Sequence, residues 1–406
     1  MTTTPSQRTT PLHQVHEQAG ATFTDFGGWL MPLKYGSELA EHQAVRTSAG
    51  LFDLSHMGEV RVSGPAAAAA LDYALVGKIS AVKPGKAKYS LVCTEAGTVL
   101  DDVIVYRLDS AEPDADGAVA PGTEFLVVPN AGNASAVASA LSERASRFDA
   151  TVTDESAQTA LVAVQGPESA RILGAALTES AAQSLAELKY YSAITSAVRT
   201  EQGEVPVLVA RTGYTGEDGF ELITGPVADA EQLGAQATDV WNALVSAAAQ
   251  IDADLVPCGL ASRDSLRLEA GMPLYGNELD LEHLPAESGV GPVVAYKKDG
   301  DFVGRAALEK ARDAASAEGA ASGQVLVGLQ GAGRRAARAG YPVLDGEGAV
   351  VGKVTSGAPS PTLGYPVALA RVDSAHSEVG SALQVDLRGR PESFTVVELP
   401  FYQRGR

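Results

Sequence analysis

Chemistry-bearing residues of this chain gather in three short stretches. The first is GTVLDDVIVYRL, Gly97 to Leu108. Val99, Leu100, Val103, Ile104, Val105 and Leu108 give it the β-branched, apolar character of a buried strand. Two neighbouring carboxylates, Asp101 and Asp102, interrupt that run. Neighbours on a strand point to opposite faces. One can therefore meet water or a turn, while the other points to the buried side or into a cavity. A carboxylate in a cavity can move a proton or stabilise a nearby cation. Burying it without such a purpose costs several kcal/mol or its charge. The plain alternative is a turn capped by Asp-Asp ahead of a strand.

The second stretch is RTGYTGEDGFELI, Arg211 to Ile223, which holds Glu217, Asp218 and Glu221. Gly213, Gly216 and Gly219 let its backbone turn sharply. The spacing lacks the strand-to-helix setting of a dinucleotide loop, and the acids would repel phosphate. A carboxylate here suits a ring that presents N–H and NH2 side by side, an edge that matches both oxygens. Glu221, flanked by Phe220 and Leu222 in the following strand, is better held for that task than the tip acids. A hairpin with a charged tip is the alternative. The third stretch is CGLASRDSLRLEAG, Cys258 to Gly271. On a helix, Arg263, Arg267 and Ala270 share a face, with Leu260, Leu266 and Leu268 as apolar contacts. Arg263 suits a carboxylate-bearing ligand. An arginine paired with Asp264 or Glu269 in a surface network is the alternative.

Other residues carry weaker signals. His56 sits beside Met57 with no second histidine at ligand spacing, so no metal is expected. No Ser-His-Asp or Cys-His motif stands out. Trp29, Tyr190 and Tyr191 could stack on a flat ring, although single aromatics are commonly core. The basic run GRRAARAG, Gly333 to Gly340, reads as a solvated turn or as a dock for a negatively charged partner.

These residues need elements to hold them. After a frayed start at Met1 to Thr10, a short helix is expected from Pro11 to Gln18, then a strand at Ala21 to Asp25. Phe26 to Gly36 reads as a packed loop, and Ser37 to Ala49 as a helix closed by Gly50. Leu51 to Gly64 is strand, turn, strand; an alanine-rich helix follows to Val76. Tyr89 to Thr94 and Thr98 to Leu108 form a hairpin around Gly97. Ser110 to Gly122 is a solvated loop. Strands at 124–128, 151–153, 160–164, 196–200, 206–211 and 220–223 alternate with helices at 133–147, after Pro167 and at 228–250. Cys258 to Glu269 is helical, Met272 to Lys298 loop-rich, and Lys310 to Gly323 a helix or linker. Short strands at 324–329, 349–355, 367–372, 383–386 and 394–397 then make an all-β terminal domain, a small barrel or sandwich. The expected division is 1–290, a connecting segment at 291–322, and 323–406.

A length of 406 residues suits two or three domains with a sizeable core. The formal charge of −19 argues against nucleic acid and anionic membranes as partners. Cys93 and Cys258 are far apart, which fits a reducing cytoplasm. No apolar signal core opens the chain, and no run of about 18 apolar residues occurs.

Six stretches occur in order: FGGWLMPLKY, FDLSHMGEVRVSG, GTVLDDVIVYRL, RTGYTGEDGFE, LASRDSLRLEAGMPLYGNEL and VTSGAPSPTLG. Together they closely resemble the glycine cleavage system T protein family, the tetrahydrofolate-dependent aminomethyltransferases, from Pro11 to Phe401. The resemblance implies an α+β, three-lobed fold: two antiparallel α+β lobes that bind folate, and a C-terminal β barrel. It implies a lipoyl-carrying H protein as protein substrate and tetrahydrofolate as one-carbon acceptor. The products would be 5,10-methylene-tetrahydrofolate, ammonia and dihydrolipoyl H protein. A cytoplasmic monomer, bound to neither nucleic acid nor membrane, is expected. The family's key acid matches Asp102, its pterin-gripping glutamate Glu221 and its motif arginine Arg263. Leu126, Val128 and Asn130 match the segment lining the pterin, and Met57, Tyr190 and Tyr214 match further wall positions. The ending LPFYQRGR departs from several family tails, which leaves Tyr402 without a matched role. Two other readings share the fold. Non-catalytic folate binders that serve iron–sulfur maintenance carry a cysteine signature where this chain has YTGEDG. The folate half of a methylamine-type oxidase comes with a flavin domain and its glycine loop, which this chain lacks.

Overall fold

The computed structural model of the protein describes residues 7–108, 124–317 and 323–405. The solvated loop expected at Ser110 to Gly122, and the end of the segment expected at Lys310 to Gly323, lie outside these residues. The chain divides into two compact units. One holds Met1–Ala68, Val82–Lys88 and Ile104–Arg263; the other holds Ala69–Ala81, Tyr89–Val103 and Asp264–Arg406.

In the first unit a six-stranded sheet runs in the order Ala193–Thr200, Gly203–Ala210, Gly219–Thr224, Ala160–Gln165, Ala49–Asp53 and Leu255–Pro257. Its neighbours are antiparallel except the last pair, which is parallel. Alternation decides its two faces. Val162, Val164, Phe220, Leu222, Val207 and Val209 turn into a core with Ile172, Leu173, Val240, Trp241 and Leu244 of the helices Ser169–Ala176 and Ala230–Gln250. Each such side chain fully buried contributes about 1.5–3 kcal/mol. The longer helix opens on Asp229, whose side chain accepts from the Gln232 backbone N–H at 2.7 Å. Its buried residues, from Leu233 and Ala237 to Leu244 and Ala248, recur at helical spacing. Glu221 and Ile223 alternate onto the opposite face of the sheet.

A five-stranded sheet has the order Lys86–Cys93, Val99–Arg107, Glu124–Val128, Val60–Ser63 and Thr151–Asp154. The Lys86–Cys93 and Val99–Arg107 strands are those of the expected hairpin.

Two expectations fail in the first unit. Phe26 to Gly36 is not a packed loop, because Thr22–Phe26 and Trp29–Lys34 pair as an antiparallel hairpin. Gly27 and Gly28 both take positive φ, at 59° and 83°, and supply the tight two-residue turn. Pro32 is tolerated because both strands of a two-stranded sheet are edges. Gly50 does not close the preceding helix, which ends at Thr47. It lies in the wholly buried strand Ala49–Asp53. A Cβ there would stand 2.5 Å from Val45 Cγ2 and 2.7 Å from Cys258 Sγ, so close packing demands the glycine.

The second unit contains a closed barrel of six strands, in the order Gln324–Gly331, Pro366–Asp373, Val350–Pro359, Pro342–Leu344, Ala382–Asp386 and Pro391–Val397. Leu329, Val354, Ala370, Val385 and Phe394 fill its core. Pro342–Leu344 was not expected as a strand: three residues led by proline give no alternation to read. The loop-rich stretch after Met272 is pinned by buried charge. Arg267 pairs with Glu278 at 3.0 Å and donates to Ser356 Oγ at 2.7 Å. Lys298 Nζ donates to the carbonyls of Asp72, at 2.6 Å, and Gly77, at 3.0 Å. Among the described residues no helix is long and apolar enough to cross a membrane.

Candidate active site

Glu221 stands mid-strand in the first unit, paired laterally with Ala210 and Ala163. Those two methyls leave room for its longer side chain on their shared face. The residue is 9% exposed. Thr212 Oγ1 donates a short hydrogen bond to Glu221 Oε2. Tyr106 Oη donates to the same oxygen at 3.4 Å and lies 3.1 Å from Thr212 Oγ1. Burial, with the Glu221 charge beside it, holds the Tyr106 phenol well above its usual pKa. Arg263 places its guanidinium 4.8 Å from the centre of the Tyr214 ring. Burial lowers the Arg263 pKa, and Glu221 and Tyr214 oppose that shift. The group thus joins a carboxylate that takes donors to a cation that takes acceptors or carboxylates.

The loop ahead of Glu221 is held by its own charges. Arg211 donates to both oxygens of Asp218, at 2.9 and 2.6 Å. Arg46 Nη1 donates to Glu217 Oε1 at 3.0 Å and to the Thr215 carbonyl at 2.7 Å. The tip acids are therefore engaged in fixing the loop, while Glu221 is bonded through neutral hydroxyls. Gln165 completes the support: its Nε2 donates to the Thr212 carbonyl at 3.0 Å, and its Oε1 accepts from Thr215 Oγ1 at 2.9 Å.

Leu126 and Val128 are buried on the Glu124–Val128 strand. Asn130 follows that strand, and its carbonyl accepts from the Asn133 N–H at 2.9 Å. Met57 is half-buried in the turn after Leu54, to whose carbonyl its N–H donates at 2.9 Å. Tyr190 is 57% exposed and meets the Tyr191 ring edge-on, with centroids 4.9 Å apart. Trp29 lies in the hairpin under Arg8, whose guanidinium is 4.5 Å from the ring centre. His56 is buried against Phe26, with ring centres 5.5 Å apart, and burial pushes its pKa down to about 4. A cavity of about 570 Å3 lies in the same unit, walled by Leu126, Ile194, Leu208 and Ile223. Arg61, Arg107, Glu124 and Glu155 rim it. It reaches Ile223, on the Glu221 face of that strand, and of the sequence-derived residues it touches Leu126 alone.

In the second unit Asp101 is 0% exposed and Asp102 is half-buried, as strand alternation requires. Asp102 Oδ2 accepts from Tyr89 Oη at 3.0 Å. Tyr402 meets Glu269, its backbone N–H donating to that residue's carbonyl at 2.8 Å. Among the described residues no cluster of three or more histidine, cysteine or acidic side chains could hold a metal.

Sequence reasoning missed Tyr89, Tyr106 and Thr212. A signal for Tyr106 was present: it stands four residues after Asp102, on the same face of one strand. Thr212 carries none, since its partner comes nine positions later, beyond a loop.

The chain matches a family model described as the GCVT N-terminal domain over residues 12–298. A second model, the glycine cleavage T-protein C-terminal barrel domain, matches residues 324–403. The chain is 53% identical to the aminomethyltransferase of Cutibacterium acnes, over 98% of this chain and 99% of that one. The aminomethyltransferase of Streptomyces coelicolor is also 53% identical, over 98% of each. For that of Symbiobacterium thermophilum the identity is 40%, again over 98% of each. Among solved structures, the glycine cleavage system aminomethyltransferase T of Bartonella henselae is 34% identical and superposes with a TM-score of 0.82, over 98% of this chain and 99% of that one.

Proposed function

The chain belongs to the glycine cleavage T-protein family of aminomethyltransferases, and from that premise we propose that it moves a methylene carbon from the aminomethylated lipoyl arm of an H protein to tetrahydrofolate. The carbon leaves the arm's sulfur and nitrogen and bridges two nitrogens of the folate. The two protons displaced there end on the released ammonia and on the dihydrolipoyl thiol, so atoms balance. The observation that carries the substrate class is Glu221. It is a carboxylate whose Oε2 accepts from two hydroxyls, held in a sheet wall beside a cationic arginine. That pairing suits a 2-amino-4-oxo pterin, whose ring offers N–H and NH2 donors next to an acceptor.

Asp102 is the acid we assign to the reacting nitrogen. A carboxylate there stabilises positive charge as ammonia departs and can take a proton from the attacking amine. Tyr89 orients it through its hydroxyl. Arg263, Met57, Leu126, Val128, Asn130, Tyr190 and Tyr214 are proposed to bind or wall the folate. Two buried cysteines outside any disulfide, Cys93 and Cys258, support a reducing cytoplasmic setting for this activity. We propose that the enzyme acts there as a monomer.

The deciding experiment mixes the protein with aminomethylated lipoyl H protein and follows ammonia with and without tetrahydrofolate. Folate-dependent release is expected; ammonia at the same rate without folate rejects the reaction. Glu221→Ala should weaken tetrahydrofolate binding in a titration by roughly 10-fold or more, the loss expected for hydrogen bonds to a charged group. Unchanged affinity would remove Glu221 from the pterin grip.

A further inference from the structure

We propose that Tyr106 and Thr212 are positioning residues that fix which oxygen of Glu221 meets the ligand and so select a ligand edge made of donors. The proposal rests on the folate reading above and deepens it. Two hydroxyls, one from the Val99–Arg107 strand and one from the loop after Ala210, converge on a single carboxylate oxygen, Oε2. Both residues are buried. A hydroxyl has one proton to give, and an ionised carboxylate only accepts. With both hydroxyls aimed at Oε2, or Tyr106 relayed through Thr212 at 3.1 Å, each donor is satisfied only while Oε2 acts as an acceptor. A proton on Oε2 would face two O–H groups and leave a buried donor unused.

Two consequences follow for recognition. The plane of the Glu221 carboxylate is held, because any turn about Cγ–Cδ short of the half-turn that exchanges its equivalent oxygens would weaken both bonds. Oε2 is engaged by the protein, which leaves Oε1 as the principal acceptor for a ligand. The sequence-based expectation gave both oxygens to the ligand; the geometry divides them. A ring edge with adjacent N–H and NH2 groups can converge on Oε1 and share Oε2 only weakly. An edge bearing an acceptor would oppose lone pairs to lone pairs, and a site built to take donors rejects such an edge strongly. Thr212 is itself held by Gln165, which accepts no freedom in the loop: its Nε2 donates to the Thr212 carbonyl at 3.0 Å.

Thr212→Val keeps the shape and removes the hydroxyl. Steady-state kinetics should show KM for tetrahydrofolate raised roughly 10-fold or more, the range for a lost hydrogen bond to a charged group, with kcat within about 2-fold of the parent. Thr212→Ser should restore KM. Tyr106→Phe should act the same way but less, since its bond is the longer one. A 2-desamino reduced folate supplies a second readout. The parent should prefer the 2-amino form, and Thr212→Val should shrink that preference. A general packing defect would instead lower kcat and melting temperature together and would not be rescued by serine, which overturns the proposal. Glu221→Gln separates the two readings. If it raises KM while Thr212→Val leaves both KM and the 2-amino preference unmoved, the positioning role is wrong and the folate grip stands. If Glu221→Gln also leaves KM unmoved, the folate reading fails and takes this one with it.

Discussion

Asp101 and Asp102 occupy opposite sides of one strand, and that difference sets their surroundings apart. Asp101 is wholly buried, whereas Asp102 keeps access and one hydroxyl partner, Tyr89. Alternation made the separation legible in sequence, but the partner was not, because Tyr89 lies on the preceding strand. The same limit applies on the Cys258 to Gly271 stretch. Arg263 and Arg267 share a helix face by spacing, yet Arg263 lies over Tyr214 and Arg267 forms a buried pair with Glu278. The surface-network alternative describes neither residue fully, although Arg267 also reaches Asp264 at 2.8 Å. Two predictions belong here. Asp102→Asn keeps shape and removes charge, so turnover should fall by at least about 100-fold, the lower end for positioned acid–base groups. Folate affinity, measured separately, should be largely kept; near-normal turnover would take Asp102 out of the mechanism. Arg267→Met should destabilise by about 3–5 kcal/mol in urea unfolding, because it strands the Glu278 charge without its partner. A loss well below 1 kcal/mol would mean that Glu278 is neutral or hydrated in the fold.

At the scale of elements, what the sequence yielded followed the clarity of its periodicity. The long helix Ala230–Gln250 and the strand Gly219–Thr224 had unambiguous patterns and fell where expected. The hairpin around Gly27 and Gly28 did not, because a proline and three aromatics hid its alternation. The TGYTGEDG loop shows a different limit: its glycines were read as turn formers, and only Gly216, at φ 78°, is one by that test. Gly213 and Gly219 are required by proximity. A Cβ on Gly213 would stand 2.1 Å from Gln165 Oε1, and one on Gly219 would stand 2.3 Å from Gln165 Cδ. Gln165 comes from a neighbouring strand, which no local motif reveals. Gly219→Ala should therefore expel the Gln165 amide from its bonds to Thr212 and Thr215. The expected loss is about 1–3 kcal/mol in denaturant unfolding, as for other overpacked sites, with a raised folate KM because Thr212 loses its anchor. Gly216→Ala, where the strain comes from a positive φ, should move KM much less. Equal effects of the two changes would refute the proximity argument.

For the molecule as a whole, two buried groups, Glu59 and His56, give stability a dependence on pH. Glu59 is 1% exposed, and burial raises its pKa to about 8. Thr159 Oγ1, which donates to its Oε2 at 2.7 Å, opposes that rise, while the carboxylates of Asp154 and Glu155 add to it. Arg61, the nearby cation, is committed to Glu155 and Glu124. An unfolded chain releases this proton near pH 4.3, about the ordinary glutamate value. Between there and about pH 8 the folded state holds one proton more, so stability falls as pH rises, by at most about 1.4 kcal/mol per unit from this group. His56 runs the other way. Its folded pKa of about 4 lies below the ordinary value of 6.5, so its contribution rises with pH across that window and is then complete. The two slopes oppose each other below about pH 6.5, and Glu59 acts alone above it. Melting temperature, followed from pH 5 to 9 at fixed ionic strength, should be nearly flat at first and then decline until about pH 8. Glu59→Gln carries no proton to lose, and its amide can donate toward the neighbouring carboxylates. That variant should therefore gain on the parent throughout the rise to about pH 8, its own profile climbing with His56 to about pH 6.5 and staying level from there to pH 8. Parallel curves for parent and variant would show that Glu59 is already ionised in the fold and that the decline has another source.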